Sequence, residues 1–337
     1  MTVDIKTTSI QPRRHTFAHI ARRQGSDKAA SRYDEATYDM QPTSNFHYRP
    51  IWAPEFELFD QRRTAVVMED WDALKDPRQY YYGAYTIARA RMMEATEKSF
   101  AFVEKRQGLA GIDPEWSAAI ELYLIPLRHF EWGANMNNCN ITDLGYGAAI
   151  TQATMYATMD RLGNAQILSR IGLLMDGQSG ESLVRAKASW MEHPVWQPIR
   201  HLVEDSLVLT DWFEQFIAQN FILDGLVYSL AYGSFDSKGQ TRGAHNISLL
   251  TEFLTDWHDE TIRWVDSVIA RVAAESPENE SLVAGWISSW KELGAKALEP
   301  LAVEILRDGA PEAITAATER LEARAAKFFT NSEVRSR

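Results

Sequence analysis

The sequence predicts an all-α protein assembled as a bundle of long helices, and three observations carry that expectation. Apolar residues recur at helical spacing over stretches of up to about 30 residues. Helix-start signals, in which Asp or Ser precedes Pro, recur along the chain at Asp76-Pro77, Asp113-Pro114 and Ser276-Pro277. No alternating apolar–polar run bounded by turn residues marks a strand, and no internal repeat is visible.

Asp76-Pro77 opens the first expected helix, which has no proline before Gly108. Tyr81, Ala84, Tyr85, Ala88, Met92, Ala95 and Phe102 form its apolar stripe, with Glu94, Glu97, Glu104 and Lys105 opposite. Such a helix would span about 45 Å at 1.5 Å per residue. Asp113-Pro114 opens the second pattern, in which Pro126 should introduce a kink. A break and recap is read at Ile141-Thr142-Asp143. The pattern resumes through Met155, Met159, Leu162, Ile167, Ile171 and Leu174 to a turn at Gly177–Gly180. A shorter helix covers Glu181 to Met191, ended by His193-Pro194. The stretch from Pro198 to Tyr232 reads as two helical pieces joined around Thr210-Asp211, and Gly233 to Gly243 reads as a polar loop. A long helix then runs to Ala274. Ser276-Pro277-Glu278 caps the next, Pro300 is expected to break it, and Pro311 starts the last.

Three regions follow: an extended arm over 1–75, a helical domain over 76–330 and a charged tail over 331–337. The arm lacks helical or strand periodicity but carries many aromatic residues, too many for a solvated tail. It should lie across another surface, either its own helical body or a partner chain, with the partner favoured. Tyr33, Phe46, Tyr48, Trp52 and Trp71 of the arm are interface candidates, as are Tyr80, Tyr81, Tyr82 and Tyr85 at the start of the first helix.

Composition narrows the function. The formal net charge of −11 over 337 residues disfavours nucleic acid and anionic membrane surfaces as partners. The longest greasy segment, Phe221 to Phe235, is interrupted by Asp224, and no secretory leader is visible, so a cytoplasmic protein is expected. The lone Cys139 can form neither an internal disulfide nor a cysteine-rich zinc site, and it reads as a small buried residue.

Long helical bundles raise one specific chemistry. Di-iron carboxylate sites take a single Glu from each of two helices and a Glu-x-x-His pair from each of two others. None of the 8 histidines here has Glu three positions before it. His129 and His258 stand within long helices, but Pro126 and Thr255 occupy the carboxylate positions. Each histidine is therefore expected to be a core imidazole hydrogen-bonded to a neighbouring helix. A lone metal held by these histidines with Glu131 or Asp259 is disfavoured, because those carboxylates belong to other helix faces. Asp256, Asp259 and Glu260 are expected on a solvated face.

Several segments resemble the auxiliary β subunits of bacterial multicomponent monooxygenase hydroxylases, nearest the phenol hydroxylase branch. They are Asn45-Phe46-His47-Tyr48-Arg49-Pro50, Trp71 to Leu74, and above all Asp76-Pro77-Arg78-Gln79-Tyr80-Tyr81-Tyr82-Gly83-Ala84-Tyr85. The resemblance implies a ferritin-like, ribonucleotide-reductase-like helical fold without catalytic, cofactor-binding or metal-binding residues of its own. It further implies an (αβγ)2 hydroxylase whose α subunit carries two irons and hydroxylates phenol to catechol with O2. The small γ subunit, a regulatory protein and a reductase fed by NAD(P)H complete the system. The alternatives are a β subunit of a toluene or alkene monooxygenase, an independent helical oxidase with an unorthodox metal site, or a helical module that binds an apolar ligand.

Overall fold

The computed structural model describes residues 17–25, 29–40 and 49–329. Phe46, Tyr48 and the tail 331–337 lie outside the described residues, among which there is no strand. Two short helices, α1 (Ala18–Gln24) and α2 (Arg32–Thr37), precede an irregular segment that leads to α3 (Tyr82–Lys105). Next come α4 (Pro114–Ala119), α5 (Leu127–Leu144), α6 (Ala148–Met175), α7 (Glu181–Glu192) and α8 (Gln197–Leu207). A continuous helical run over 212–240, here α9, alternates α-helical with π-helical turns. The chain finishes with α10 (His245–Ala273), α11 (Pro277–Leu306) and α12 (Ala310–Phe329).

Two antiparallel hairpins make the core. One joins α5 to α6 through 145–147, and these two helices are the most extensively packed pair. The other joins α9 to α10 through the turn at 241–244. α3 lies against α10, while α11 and α12 pair with each other and cover α9. The four core helices meet in a continuous apolar interior that holds Phe130, Ile167, Phe216, Phe221, Trp257 and Trp264.

Caps explain several boundaries. Asp113 Oδ1 accepts from the backbone N–H of Glu115 at 3.0 Å and of Trp116 at 3.2 Å, with Pro114 at the first helical position. Asp211 caps α9 in the same way, and Ser276 caps α11 through the N–H of Asn279 at 3.1 Å. At Pro126 the expected irregularity is a π-helical turn over Ile120–Leu124, where the N–H of Ile125 donates to the carbonyl of Ile120 at 3.0 Å. The wider turn accommodates a ring that has no N–H to give.

Four expected boundaries need correction, the smallest being the break read at Ile141-Thr142-Asp143, which falls at 145–147 because α5 runs on to Leu144. Asp76-Pro77 starts no helix; α3 begins six residues later, and its buried stripe is Tyr85, Arg89, Thr96, Phe100 and Val103, leaving Phe102 exposed. Arg89 and Thr96 are polar and drop out of a stripe counted on apolar residues alone. The expected loop from Gly233 to Gly243 is helical as far as Gln240. Its inner residues Phe235 and Gly239 are buried, so packing overrides the weak local preference. Pro300 lies inside α11, which continues to Leu306 because Leu298, Leu301, Ala302 and Ile305 remain in the core.

The described part of the arm lies on the chain's own body. Ala65 N–H donates to Asp211 at 2.7 Å, Val67 exchanges hydrogen bonds with the Asn279 amide at 3.1 and 2.8 Å, and Glu69 N–H donates to Glu275 at 2.8 Å. Val66, Met68, Trp71 and Leu74 enter the core between these anchors. Trp71 packs edge-on to Tyr146 and tilted on Trp212, with centroids 5.8 and 5.9 Å apart.

Candidate functional site

The interior of the bundle holds a charged cluster centred on Arg161 of α6, which is fully buried. Its Nη1 donates to Glu131 Oε2 at 3.1 Å, its Nη2 donates to Asp224 Oδ2, and the Trp257 ring covers the guanidinium at 4.5 Å. Glu131 comes from α5, Asp224 from α9 and Trp257 from α10, so all four core helices converge here. Tyr228 Oη donates to Glu131 Oε1 at 2.7 Å, the Asn164 amide donates to Tyr228 Oη at 3.2 Å, and Gln219 Nε2 donates to Asp224 Oδ1 at 2.9 Å. Burial pushes both carboxyls above their usual range, and Arg161 opposes that rise in each case. A proton shared within the cluster would leave it neutral.

An amide layer extends the cluster along the α5–α9 seam. Asn137 Nδ2 donates to Ser206 Oγ and Gln219 Oε1, both at 2.8 Å, while Gln215 Nε2 donates back to Asn137 Oδ1 at 2.8 Å. Asn138 and Asn220 exchange reciprocal bonds at 3.2 Å. Cys139, the residue after Asn138, is exposed rather than buried. The amides claim the inner face of α5 and turn position 139 outward.

The arrangement bears directly on the two irons that such bundles can carry. Single carboxylates on two helices, Glu131 and Asp224, stand where lone acidic ligands would be expected. On α6, the i and i+3 positions facing them are Arg161 and Asn164, neither of which can serve as an anionic ligand. A guanidinium already lies between the carboxylates. A metal pair added to this donor set would face its fixed positive charge, so the residues do not fit the group.

Of the sequence-predicted histidines, His129 lies apart from this cluster and His258 abuts it through Tyr228. His129 stacks on Trp190 of α7 at 6.0 Å, and His258 stacks on Tyr228 at 4.4 Å. Neither is hydrogen-bonded through Nε2, contrary to expectation; both atoms are buried without a partner among the described residues. Burial and nearby Arg128 and Lys187 lower His129 to about 4, while burial, Arg324 and Arg161 lower His258 to about 3. Pro126 belongs to the kink, and Thr255 turns back to the Glu252 carbonyl at 2.8 Å. Glu131 and Asp259 join neither imidazole. Among the described residues, no three His, Cys, Asp or Glu side chains converge to hold a metal.

A second network fastens the arm to this centre. Asp76 N–H donates to Tyr33 Oη at 2.6 Å, and the Asp76 carboxylate takes Arg78 Nη2 at 2.9 Å. Arg78 reaches Glu260 at 3.5 Å and lies between the Tyr80 and Trp264 rings, each 5.0 Å away. Arg89 joins Glu260 to Asp160 with contacts of 2.8 to 3.1 Å, and Asp160 also accepts from Tyr85 Oη and Trp257 Nε1 at 2.8 Å each. Glu260 is thus half-buried and paired, while Asp256 and Asp259 are exposed. Burial would raise the Glu260 carboxyl, but Arg89 and Arg78 hold it low; burial and Glu260 together push Tyr80 up to about 12.

The interface candidates therefore divide. Tyr33, Trp71 and Tyr85 are buried inside this chain, Tyr85 stacking on Tyr156 at 4.3 Å. Tyr80 and Tyr81 are half-buried, whereas Trp52 and Tyr82 are 68% and 69% exposed. A different apolar face was missed. Trp132 and Met136 of α5 and Met155, Met159 and Leu162 of α6 are all exposed, Trp132 by 56%. Residues equally distant from the 145–147 turn face each other in an antiparallel hairpin, which brings these side chains into one patch. Their i, i+4 spacing looks like an ordinary core stripe until the neighbouring helices are placed. The inner charges were missed because no spacing links them: Asp224 interrupts an apolar stretch, while Arg161 follows Asp160 as an ordinary pair of adjacent opposite charges.

Comparison with known proteins fits this architecture. The sequence profile of the family described as Methane/Phenol/Alkene Hydroxylase matches residues 52–276. The chain is 49% identical over 304 residues to the phenol 2-monooxygenase oxygenase component DmpL of Pseudomonas sp. (strain CF600), covering 90% of this chain and 92% of that protein. It is 22% identical to the β subunit of the toluene-4-monooxygenase hydroxylase component of Ectopseudomonas mendocina, covering 84% and 88%. The crystal structure of xenon-pressurised phenol hydroxylase from Pseudomonas sp. OX1 superposes with a TM-score of 0.91 at 46% identity, covering 96% of this chain and 98% of that one. Helix order, the two core hairpins and these likenesses converge on one conclusion: the chain has the ferritin-like fold and belongs to the methane/phenol/alkene hydroxylase family.

Proposed function

We propose that this chain is the non-catalytic β subunit of a cytoplasmic phenol hydroxylase. It would support a catalytic α subunit that carries two irons and converts phenol to catechol with O2 and electrons from NAD(P)H. The observation that carries the reading is Arg161. A bundle whose two central carboxylates are bridged by a guanidinium supplies scaffold without supplying metal ligands. The exposed Trp132–Met159 face supports the same reading, since an apolar patch of helix-borne Met and Trp suits an obligate subunit interface. The β designation of the toluene-4-monooxygenase relative agrees with this role.

The proposed assembly is (αβγ)2, with a reductase and a regulatory protein acting on the complex. Co-expression with α and γ tests it. The complex should hydroxylate phenol and contain iron, and this chain purified alone should do neither. Near-stoichiometric iron in the isolated chain, or catechol formed by it, would overturn the proposal.

A further inference from the structure

A cleft of about 640 Å³ opens between the arm at 52–65, the C-terminal end of α5 and the link from α8 to α9 at 209–211. Ala53, Leu144 and Leu209 give it apolar walls, and Trp52, 68% exposed, stands in its lining. The cleft continues the apolar face that the proposed function assigns to α. Helix α5 gives Trp132 and Met136 to that face and, about one and two turns further on, Asn140, Asp143 and Leu144 to the cleft. Ile51 and Val208, the neighbours of Trp52 and Leu209 in sequence, are 95% and 76% exposed and extend the apolar surface outside it.

Arg63 lines this cleft and is only 7% exposed, yet no carboxylate among the described residues pairs with it. Its guanidinium lies over the Phe56 and Trp52 rings, 4.8 and 5.2 Å from their centroids. Nη2 donates to the Glu57 carbonyl at 3.2 Å and Nε is sealed off without a partner, which leaves Nη1, neither bonded nor sealed among the described residues. Ring faces attract a cation but do not cancel its charge, and a buried arginine is almost never left unpaired. The other charges of the lining are accounted for. Arg62 is paired with Asp60 at 2.6 Å, and Asp211 accepts from the N–H groups of Ala65, Phe213 and Glu214 at 2.7 to 3.1 Å. Glu55 and Asp143 are exposed, where water screens them, so the buried guanidinium decides what the cleft attracts.

We propose that the cleft receives a carboxylate of the α subunit, carried by an Asp, a Glu or a chain end beside an apolar side chain. The carboxylate pairs with Arg63, and its apolar neighbour lies against Trp52 and Leu209. This rests on the reading of the chain as a β subunit. The exposed apolar surface around the cleft favours a segment of a partner chain over a small molecule, which would leave Ile51 and Val208 uncovered. The free chain holds an unneutralised buried charge until α arrives, so docking and the pairing of Arg63 are one event.

Arg63→Met and Arg63→Lys, measured for the thermal midpoint of the isolated full-length chain and for affinity towards α, test the proposal. Isolated Arg63→Met should unfold no earlier than wild type, because an unpaired charge has left the interior. Its affinity for α should fall by about 30-fold or more, as for a broken buried charge pair, and should depend less on salt than that of wild type. Arg63→Lys keeps the charge and should recover part of the loss. Wild type that α does not bind at all would sink the β-subunit reading and this proposal with it. Where wild type binds, equal affinity of Arg63→Met, or no difference between the two variants, would overturn the proposal alone. Benzoate that binds the isolated chain through Arg63 without competing with α would give the cleft to a small ligand. A wild-type chain that dimerises in isolation, when Arg63→Met does not, would give it to a second copy; either result overturns the proposal.

Discussion

Asp160 and Arg161 are adjacent on one helix yet answer to opposite networks: Asp160 turns outward to Arg89 at 2.8 Å, and Arg161 turns inward to Glu131 at 3.1 Å. The turn of about 100° between successive helical positions makes this possible. Trp257 joins the two networks, donating from Nε1 to Asp160 while its face covers Arg161. The anchorage of the arm and the filled centre of the bundle are therefore neighbours.

Removing Arg161 should be costly in a way that depends on what it leaves behind. Arg161→Met strands Glu131 and Asp224 inside the core and should cost about 3–5 kcal/mol in urea unfolding. Adding Glu131→Gln and Asp224→Asn to it should restore most of that loss. If the triple variant is no more stable than Arg161→Met, the cluster is not held by charge balance.

Acid should weaken the fold partly through His258. Its imidazole titrates at about 3 in the folded chain, against an ordinary value of about 6.5 in the unfolded one. The unfolded state therefore takes up a proton that the native state refuses, and stability falls as pH drops from about 6.5 towards 3. The slope is up to about 1.4 kcal/mol per pH unit, or about 2 kcal/mol by pH 5. His258→Phe should lose correspondingly less between pH 7.5 and pH 5. Glu131 and Asp224 shift in the opposite sense and cancel in the comparison; parallel stability curves would exclude His258 as a source.

The Asp-Pro-Arg segment should behave as a latch. Arg78→Gln removes the charged links to Asp76 and Glu260, which at about 2 kcal/mol should speed local opening by roughly 10- to 30-fold. Trypsin cleavage at Arg62 or Arg63 reports that opening. Wild-type cleavage rates in the variant would mean that Val66, Met68 and Leu74 hold the arm unaided.

The exposed face on α5 and α6 should govern assembly and not folding. Trp132→Asp should leave the thermal midpoint of the isolated chain almost unchanged, yet weaken capture by α by about 30-fold or more, as expected for a buried aromatic anchor. Equal recovery of the complex with both forms would place the interface elsewhere.

Much of the fold was legible because it rests on local rules. Ser276-Pro277 marks the start of α11, the glycines from 177 to 180 mark the turn before α7, and the long stripes of α6 and α10 give their lengths. What escaped was set by contacts distant in sequence. Pro300 and Gly233 are tolerated because their neighbours are packed. Asp76 reads as a cap until Tyr33 and Arg78 claim it. The central charges have no period at all: Glu131, Arg161 and Asp224 are 30 and 63 residues apart along the chain, and only the meeting of three helices gives them a common purpose.

Tyr228 belongs to two places at once. Its ring lines a surface cleft between α9, α10 and α12, and its hydroxyl donates to Glu131 at the centre. Trp257 lies 5.9 Å from the same ring, so its emission would report a disturbance of either place. The buried charges are thus one side chain away from the surface cleft.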